Sequence, residues 1–191
     1  FMEKDKGQYD KETSIFWASG ACFLIEKKSF LKVGGFDEDF WMHQEEIDLC
    51  WRIQNLEKKI GYCHKSKVYH YGGGTLKKGN WMKTFYNHRN NLLMLFKNLP
   101  FIDLIIVLIN RVIIDFLVAF RYLISFKLNH FFMVFLAYIS FIMLIPKYIF
   151  INTKKSEKRN PIKKKIDGKY NVNIILLALL KYDEFSNLIQ K

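Results

Sequence analysis

Residues 101–126 constrain the fold more than any other stretch. They are almost wholly apolar, broken only by Asp103, Asn110, Arg111, Asp115, Arg121 and Ser125. Wound as an α-helix at 100° per residue, those six positions fall within an arc of about 140°. A helix in water rarely carries so wide an apolar face. A simple spanning helix would rarely carry two arginines and two aspartates, since each charge costs about 2.5–3.5 kcal/mol at mid-bilayer. The pattern predicts a helix lying in a membrane interface, or one packed beneath a folded domain.

A second apolar run, Phe131 to Ile145, has one serine and is followed by Pro146–Lys147 and Tyr148–Ile149–Phe150–Ile151. The run alone is too short to cross hydrocarbon ~30 Å thick, which takes about 20 residues. Counted through Ile151 it is long enough, with Lys147 near one end, where its ammonium can snorkel. Monotopic attachment is therefore favoured over one spanning helix, and a buried core helix is the third reading. Residues 152–169 read as a lysine-rich linker containing Pro161, and Asn171 to Leu180 as a last apolar helix. The chain carries a net charge of +12, and from Lys127 onward twelve Lys/Arg face four acids. Basic residues beside apolar helices point to an anionic membrane surface. Nucleic acid, the competing partner for a basic chain, is set aside because none of its recognition motifs is present.

Residues 1–99 have a different character. Residues 1–13 are polar and read as a loop. Lys27 to Val33 reads as a short amphipathic helix closed by Gly34–Gly35, where glycine takes the left-handed cap conformation. The run Trp41–Met42–His43–Gln44–Glu45–Glu46–Ile47–Asp48–Leu49–Cys50–Trp51–Arg52 follows, with three carboxylates in four positions. A helix from 45 to about 58 puts Glu45 and Glu46 at its positive end, and Asp48 one turn from Arg52, with which it can pair. Spacing alone leaves two readings open: a carboxylate held as a base beside a hydroxyl, or a well-capped helix start. Lys59 to Cys63 and Ser66 to His70 read as short strands, and 80–98 as a helix ending at Pro100. Within that helix Asn87–His88–Arg89–Asn90–Asn91 is a dense polar patch. Arg89 there could meet a diphosphate, cap a carboxylate or face solvent.

The flanks bear on the choice between those two readings. "W-x-S-G-A" (Trp17, Ser19, Gly20, Ala21) precedes "V-G-G-F-D-E" (Val33 to Glu38); "E-E-I-D-L-C-W-R" (Glu45 to Arg52) precedes "V-Y-H-x-G-G" (Val68 to Gly73). In that order the four pieces resemble the C-terminal half of the catalytic domain of family 2 glycosyltransferases, and within it the rhamnosyltransferase-like enzymes of bacterial cell-surface polysaccharide synthesis. The resemblance covers roughly residues 14–99. It implies an α/β fold, the C-terminal part of a Rossmann-like nucleotide-sugar transferase domain of GT-A type, followed here by apolar α-helices. It also implies an inverting transfer from a nucleotide-sugar donor to a saccharide or lipid-linked acceptor hydroxyl. Carried onto this sequence, Glu46 is the general base, and Glu45 or Asp48 holds acceptor hydroxyls or raises its basicity. Trp17, Ser19, Gly20 and Ala21 lie near sugar and acceptor. His70 helps bind a divalent metal, Mg²⁺ or Mn²⁺, or the donor diphosphate.

The family's first βαβ units and its Asp-x-Asp motif do not appear, and the sequence opens at Phe1. The chain therefore reads as a C-terminal piece of a longer enzyme, inactive alone. The expected division is 1–99 for the catalytic half, 100–151 for membrane-associating helices and 152–191 for linker and final helix. The expected location is the cytoplasmic face of the inner membrane. A rival reading is a non-catalytic membrane-binding or scaffold fragment. Another rival, a metal site from His43, Cys63, His64 and His70, fits no zinc spacing. Cys22, Cys50 and Cys63 form no C-x-x-C pair, and their odd number suits a reducing compartment. Gly72–Gly73–Gly74–Thr75 matches no phosphate-loop pattern and reads as a plain loop.

Overall fold

The computed structural model describes residues 4–71, 76, 77 and 79–155. The glycine run 72–75, most of the lysine-rich linker and the final helix expected at 171–180 lie outside the described residues.

Three long helices dominate. α3 (Trp81–Asn98) begins where the Asn80 side chain accepts the Met82 N–H at 2.8 Å. It stops because Pro100 holds Leu99 extended, at ψ 147. α4 (Phe101–Ile124) starts directly beyond the proline and folds back antiparallel. Its end is closed by Phe126 in the left-handed region, φ 55, with the Lys127 N–H donating to the Tyr122 carbonyl at 2.9 Å. α5 (Leu128–Lys155) then runs parallel to α3. Thr84 Oγ1 meets His130 Nδ1 at 2.7 Å near one end. The Phe96 and Phe141 rings meet edge to face at 5.8 Å further along. The Lys97 ammonium lies over the Tyr148 ring near the other end.

α5 joins the apolar run Phe131–Ile145 to Tyr148–Ile151 in one helix. The helix continues through the proline to Lys155. One lost N–H bond costs about 3 kcal/mol, and anchoring beyond it offsets that cost. The Tyr148 hydroxyl donates to Asp37 at 2.8 Å and to Asp39 at 2.5 Å, and Lys147 pairs with Asp39 at 2.6 Å. Leu128–Ile151 is therefore a 24-residue apolar helix, about 36 Å long at ~1.5 Å per residue. That length is enough to cross a membrane, so shortness no longer weighs against spanning.

The head is built from small pieces. β1 (Thr13–Ser14) pairs antiparallel with β2 (Gly61–Tyr62). Among the described residues this ribbon is the whole sheet. Residues 66–70, read as a short strand, pair with no strand among the described residues. α1 (Lys27–Lys32) closes as expected on Gly34 and Gly35, at φ 85 and 68. The Gly35 N–H donates to the Phe30 carbonyl and the Gly34 N–H to that of Leu31, the paired bonds of a Schellman turn. α2 (Glu45–Gln54) is shorter than its apolar stripe. Leu56 and Glu57 bond back three residues, and Glu57 turns left-handed at φ 67, which tightens and ends the helix.

One apolar core crosses residue 100. Phe40 and Trp51 of the head, Leu92, Leu93 and Met94 of α3, Leu104 of α4, and Phe141 and Tyr148 of α5 belong to a single buried cluster. Full burial of such side chains contributes roughly 1.5–3 kcal/mol each. The outer faces of α4 and α5 are left apolar and exposed, with Ile106, Ile109, Phe116, Ile142 and Met143 among the residues there.

Candidate active site

The site begins with a loop the chain would not adopt unaided. After the turn Glu38–Phe40, Trp41, His43 and Gln44 take positive φ of 51, 62 and 71. None is glycine, and such residues cost on the order of 1–3 kcal/mol each. The loop delivers Glu45 and Glu46 to the first turn of α2, whose N-cap Gln44 makes no side-chain capping bond.

A second segment curls over that helix start. The Gln54 amide donates to the Phe16 carbonyl at 2.7 Å, and the Ala18 N–H points at Cys50 Sγ at 3.5 Å. These contacts lay residues 16–18 along α2 and bring Ser19–Gly20–Ala21 to its mouth. A Cβ placed on Gly20 would lie 3.9 Å from Glu46 Cβ and Cδ. That is ordinary van der Waals contact, so the Gly20 backbone lies close beside the Glu46 side chain.

Between the two segments is a cleft of about 500 Å³, lined by Ser19, Gly20, Ala21, Met42, His43, Glu45, Glu46, His70, Tyr71, Leu76 and Lys83. Glu45 Oε2, Glu46 Oε2 and His43 Nε2 are buried and have no hydrogen-bond partner among the described residues. Burial pushes the Glu46 carboxyl up and the charge of Glu45 adds to it. The backbone N–H groups of Glu46 and Gly20, together with His43, pull the other way without cancelling the rise. Burial lowers the imidazole of His43, and the Lys83 ammonium lowers it further against the pull of Glu46. His43 is accordingly neutral at neutral pH.

The residues singled out in the sequence separate here. Glu45, Glu46, Ser19, Gly20, Ala21 and His70 converge on the cleft. Trp17, 39% exposed, is not part of the lining. Asp48 is not part of it either. It is fully buried, with Oδ2 bonded to Arg52 Nε at 2.8 Å and to Lys97 at 3.0 Å, and Oδ1 accepting from the Asn98 amide at 2.8 Å. Arg52 in turn donates to the Val33 carbonyl at 2.7 Å. Asp48 therefore pins α2 to α3 and to the end of α1, and no acceptor hydroxyl can reach it. Arg89 also works in the scaffold, donating to the Asp39 carbonyl and to Asn90 Oδ1.

Lys83 was missed by the sequence reading. Its only signal is a position in the first turn of a helix just beyond the glycine run. As for a metal, His70 reaches the cleft, but among the described residues no three His, Cys, Asp or Glu side chains converge to hold an ion. The residues present do not form a metal site by themselves, and the His43, Cys63, His64 and His70 grouping is not assembled. The three cysteines are free thiols; Cys50 is buried.

Comparison with known proteins follows the same line. Sixty residues, 31% of this chain, are 35% identical to 20% of an N-acetylglucosaminyl-diphospho-decaprenol L-rhamnosyltransferase of Mycobacterium tuberculosis. A 60-residue segment is 32% identical to 23% of the rhamnosyltransferase WbbL of Escherichia coli. A segment of 53 residues, 28% of this chain, is 34% identical to 17% of a low-salt glycan biosynthesis hexosyltransferase of Haloferax volcanii. The chain spans about a fifth of the length of the curated relatives it matches. No family model and no solved structure matches. The likeness is to part of sugar transferases.

Proposed function

We propose that this chain carries the acceptor-activating part of an inverting, family 2 glycosyltransferase. In this reading the sugar moves from a nucleotide-diphosphate donor to a saccharide or lipid-linked acceptor hydroxyl. The single observation that carries it is Glu46: a half-buried carboxylate with an unpartnered oxygen on a cleft, packed against the Ser19–Gly20–Ala21 segment.

A sugar hydroxyl holds its proton to very high pH and is a poor nucleophile. Glu46 takes that proton as the acceptor oxygen bonds to the anomeric carbon. The bond from that carbon to the diphosphate breaks on the opposite face, and the configuration inverts. A carboxyl raised by burial holds the proton better than an ordinary one. Glu45 sustains that rise and presents an acceptor oxygen of its own to the sugar. Ser19 and Ala21 shape the wall opposite. Lys83 places a cation in the same cleft, where anionic substrate groups gather. The Rossmann-like sheet and the divalent ion that the family resemblance implies would draw on residues beyond those described, with His70 as one ligand at most.

The apolar faces of α4 and α5 are proposed to hold the protein on the cytoplasmic side of the inner membrane, with the lysine-rich segment against anionic headgroups. Attachment of this kind should resist both high salt and alkaline washing of membranes. Release by either would remove α5 from the bilayer.

The deciding experiment is Glu46→Gln in the full-length protein, with transfer to N-acetylglucosaminyl-diphospho-decaprenol measured over a panel of nucleoside-diphosphate sugars. Transfer is expected to fall by a factor on the order of 10² or more, with the fold retained. Unchanged transfer would return the chain to the scaffold reading.

A further inference from the structure

The polar patch on α3 is used by none of the chemistry above, yet its centre is among the most enclosed groups in the protein. Asn90 is fully buried. Its amide nitrogen lies 2.7 Å from the Phe40 carbonyl, 2.6 Å from that of Met42 and 2.9 Å from that of His43. Two N–H groups thus serve three acceptors, so one bond is shared. Its Oδ1 accepts from Arg89 Nε at 2.8 Å, which fixes which end of the amide faces the loop. Arg89 continues the clamp by donating to the Asp39 carbonyl. The guanidinium is held in turn over the Phe85 and Tyr86 rings, and Tyr86 lies against Trp41.

These carbonyls belong to the segment in which Trp41, His43 and Gln44 are left-handed. That segment ends where Glu45 begins α2. A loop that disfavours its own conformation is thus held by a neighbouring helix, through side chains 47–50 residues away in sequence. We propose that Asn90 is a positioning residue for the transfer reaction. It holds the loop of residues 40–43 in its left-handed path, and the loop fixes where the Glu46 carboxylate stands in the cleft. Asn90 touches no substrate. Its effect is on the geometry of proton removal rather than on binding. The inference rests on Glu46 as the base.

The test uses Asn90→Asp in the full-length protein, which keeps the side-chain shape and removes both donors. Transfer to N-acetylglucosaminyl-diphospho-decaprenol is followed beside Glu46→Gln, using the donor sugar that the wild type transfers. Amide hydrogen exchange is measured on the same samples. The expected result is a fall in kcat of about 30-fold with the acceptor KM changed less than about threefold, the signature of an interaction that acts in the transition state. Exchange at residues 40–46 should rise about tenfold, while that of residues 92–96 stays as in the wild type. Adding Gln44→Gly, which adopts positive φ without a side-chain penalty, should restore part of the lost kcat. If Asn90→Asp does not accumulate as folded protein, Arg89→Lys loosens the same loop from its Asp39 end. A several-fold drop in kcat at constant KM is then expected.

Wild-type kcat in a folded Asn90→Asp or Arg89→Lys protein overturns the positioning role while leaving Glu46 as base untouched. So does a loss that lies wholly in KM. Full transfer by Glu46→Gln overturns the base itself, and the catalytic part of this inference with it. The exchange data then report on the clamp alone.

Discussion

The two faces of α2 carry carboxylates two residues apart and treat them in opposite ways. On the inner face Asp48 is fully buried and surrounded by Arg52, Lys97 and Asn98. On the cleft face Glu45 and Glu46 each keep an oxygen out of solvent with no partner among the described residues. A fold gains little from a half-buried acid with one oxygen lacking a partner among the described residues, since the backbone N–H groups of Glu46 and Gly20 offset only part of the cost of desolvating it. Asp48 is the acid that the structure needs. Glu46 is the one it tolerates, as the proposed base would be.

The contrast can be broken from either side. The largest stability effect belongs to Asp48→Ala, which leaves the Lys97 ammonium nearly buried beside an emptied site. Removing one member of a buried ion pair costs about 3–5 kcal/mol, so thermal unfolding in detergent should shift down by many degrees. If the variant melts like the wild type, Asp48 is not the pin described here.

Tyr148→Phe comes next. It removes a hydroxyl shared by the carboxylates of Asp37 and Asp39 at the head of the acid loop. Hydrogen bonds to charged groups contribute about 1.5–3 kcal/mol, and a loss in that range is expected in the same assay. A neutral result would mean that α5 is held to the head by apolar packing and the Lys147–Asp39 pair, without the hydroxyl.

The pH dependence of the same region is a smaller effect with a fixed sign. Burial alone would raise the Asp37 carboxyl, but Lys97, Tyr148 and the Asp39 N–H together hold it below its ordinary 3.8. A carboxyl lowered on folding contributes stability that is present above its unfolded value and lost as pH falls through the folded value. Destabilisation by acid should therefore extend below pH 3.8, and Lys97→Met should shrink that part of the curve.

Glu46 has the opposite sign and the smallest expected effect. Its carboxyl is raised on folding. Its share of stability is full below the ordinary value of 4.5 and declines as pH rises through the folded value. Glu46→Gln should thus melt at or above the wild-type temperature near neutral pH, the difference shrinking on acidification. A Gln variant that is less stable at neutral pH would mean the carboxylate is structural after all.

Much of this was legible in the sequence. α1 and its glycine closure were visible because Phe30, Leu31, Gly34 and Gly35 are neighbours, and the Schellman bonds span only a few residues. α3 showed in its apolar spacing and in Pro100. Glu45, Glu46, Ser19, Gly20, Ala21 and His70 were singled out by motif, and the fold brings them to one cleft. Asp48 was placed with them because spacing cannot see Lys97 and Asn98, about fifty residues on. Whether the helix runs through Pro146 was left open, because the contacts that hold it come from Asp37 and Asp39, more than a hundred residues back. Asn90 was noticed as part of a polar patch, but the carbonyls it captures have no signature in sequence.

The chain by itself determined where α1 and α3 begin and end, which faces are apolar, and which residue types stand ready for proton transfer. Those properties depend on neighbours within a turn or two. Only the tertiary structure decided which carboxylate is neutralised by buried cations and which keeps an oxygen on a cleft with no partner among the described residues. A carboxylate's fate depends on the few atoms within about 4 Å of its oxygens. Here those atoms come from helices that the chain reaches only after folding back on itself.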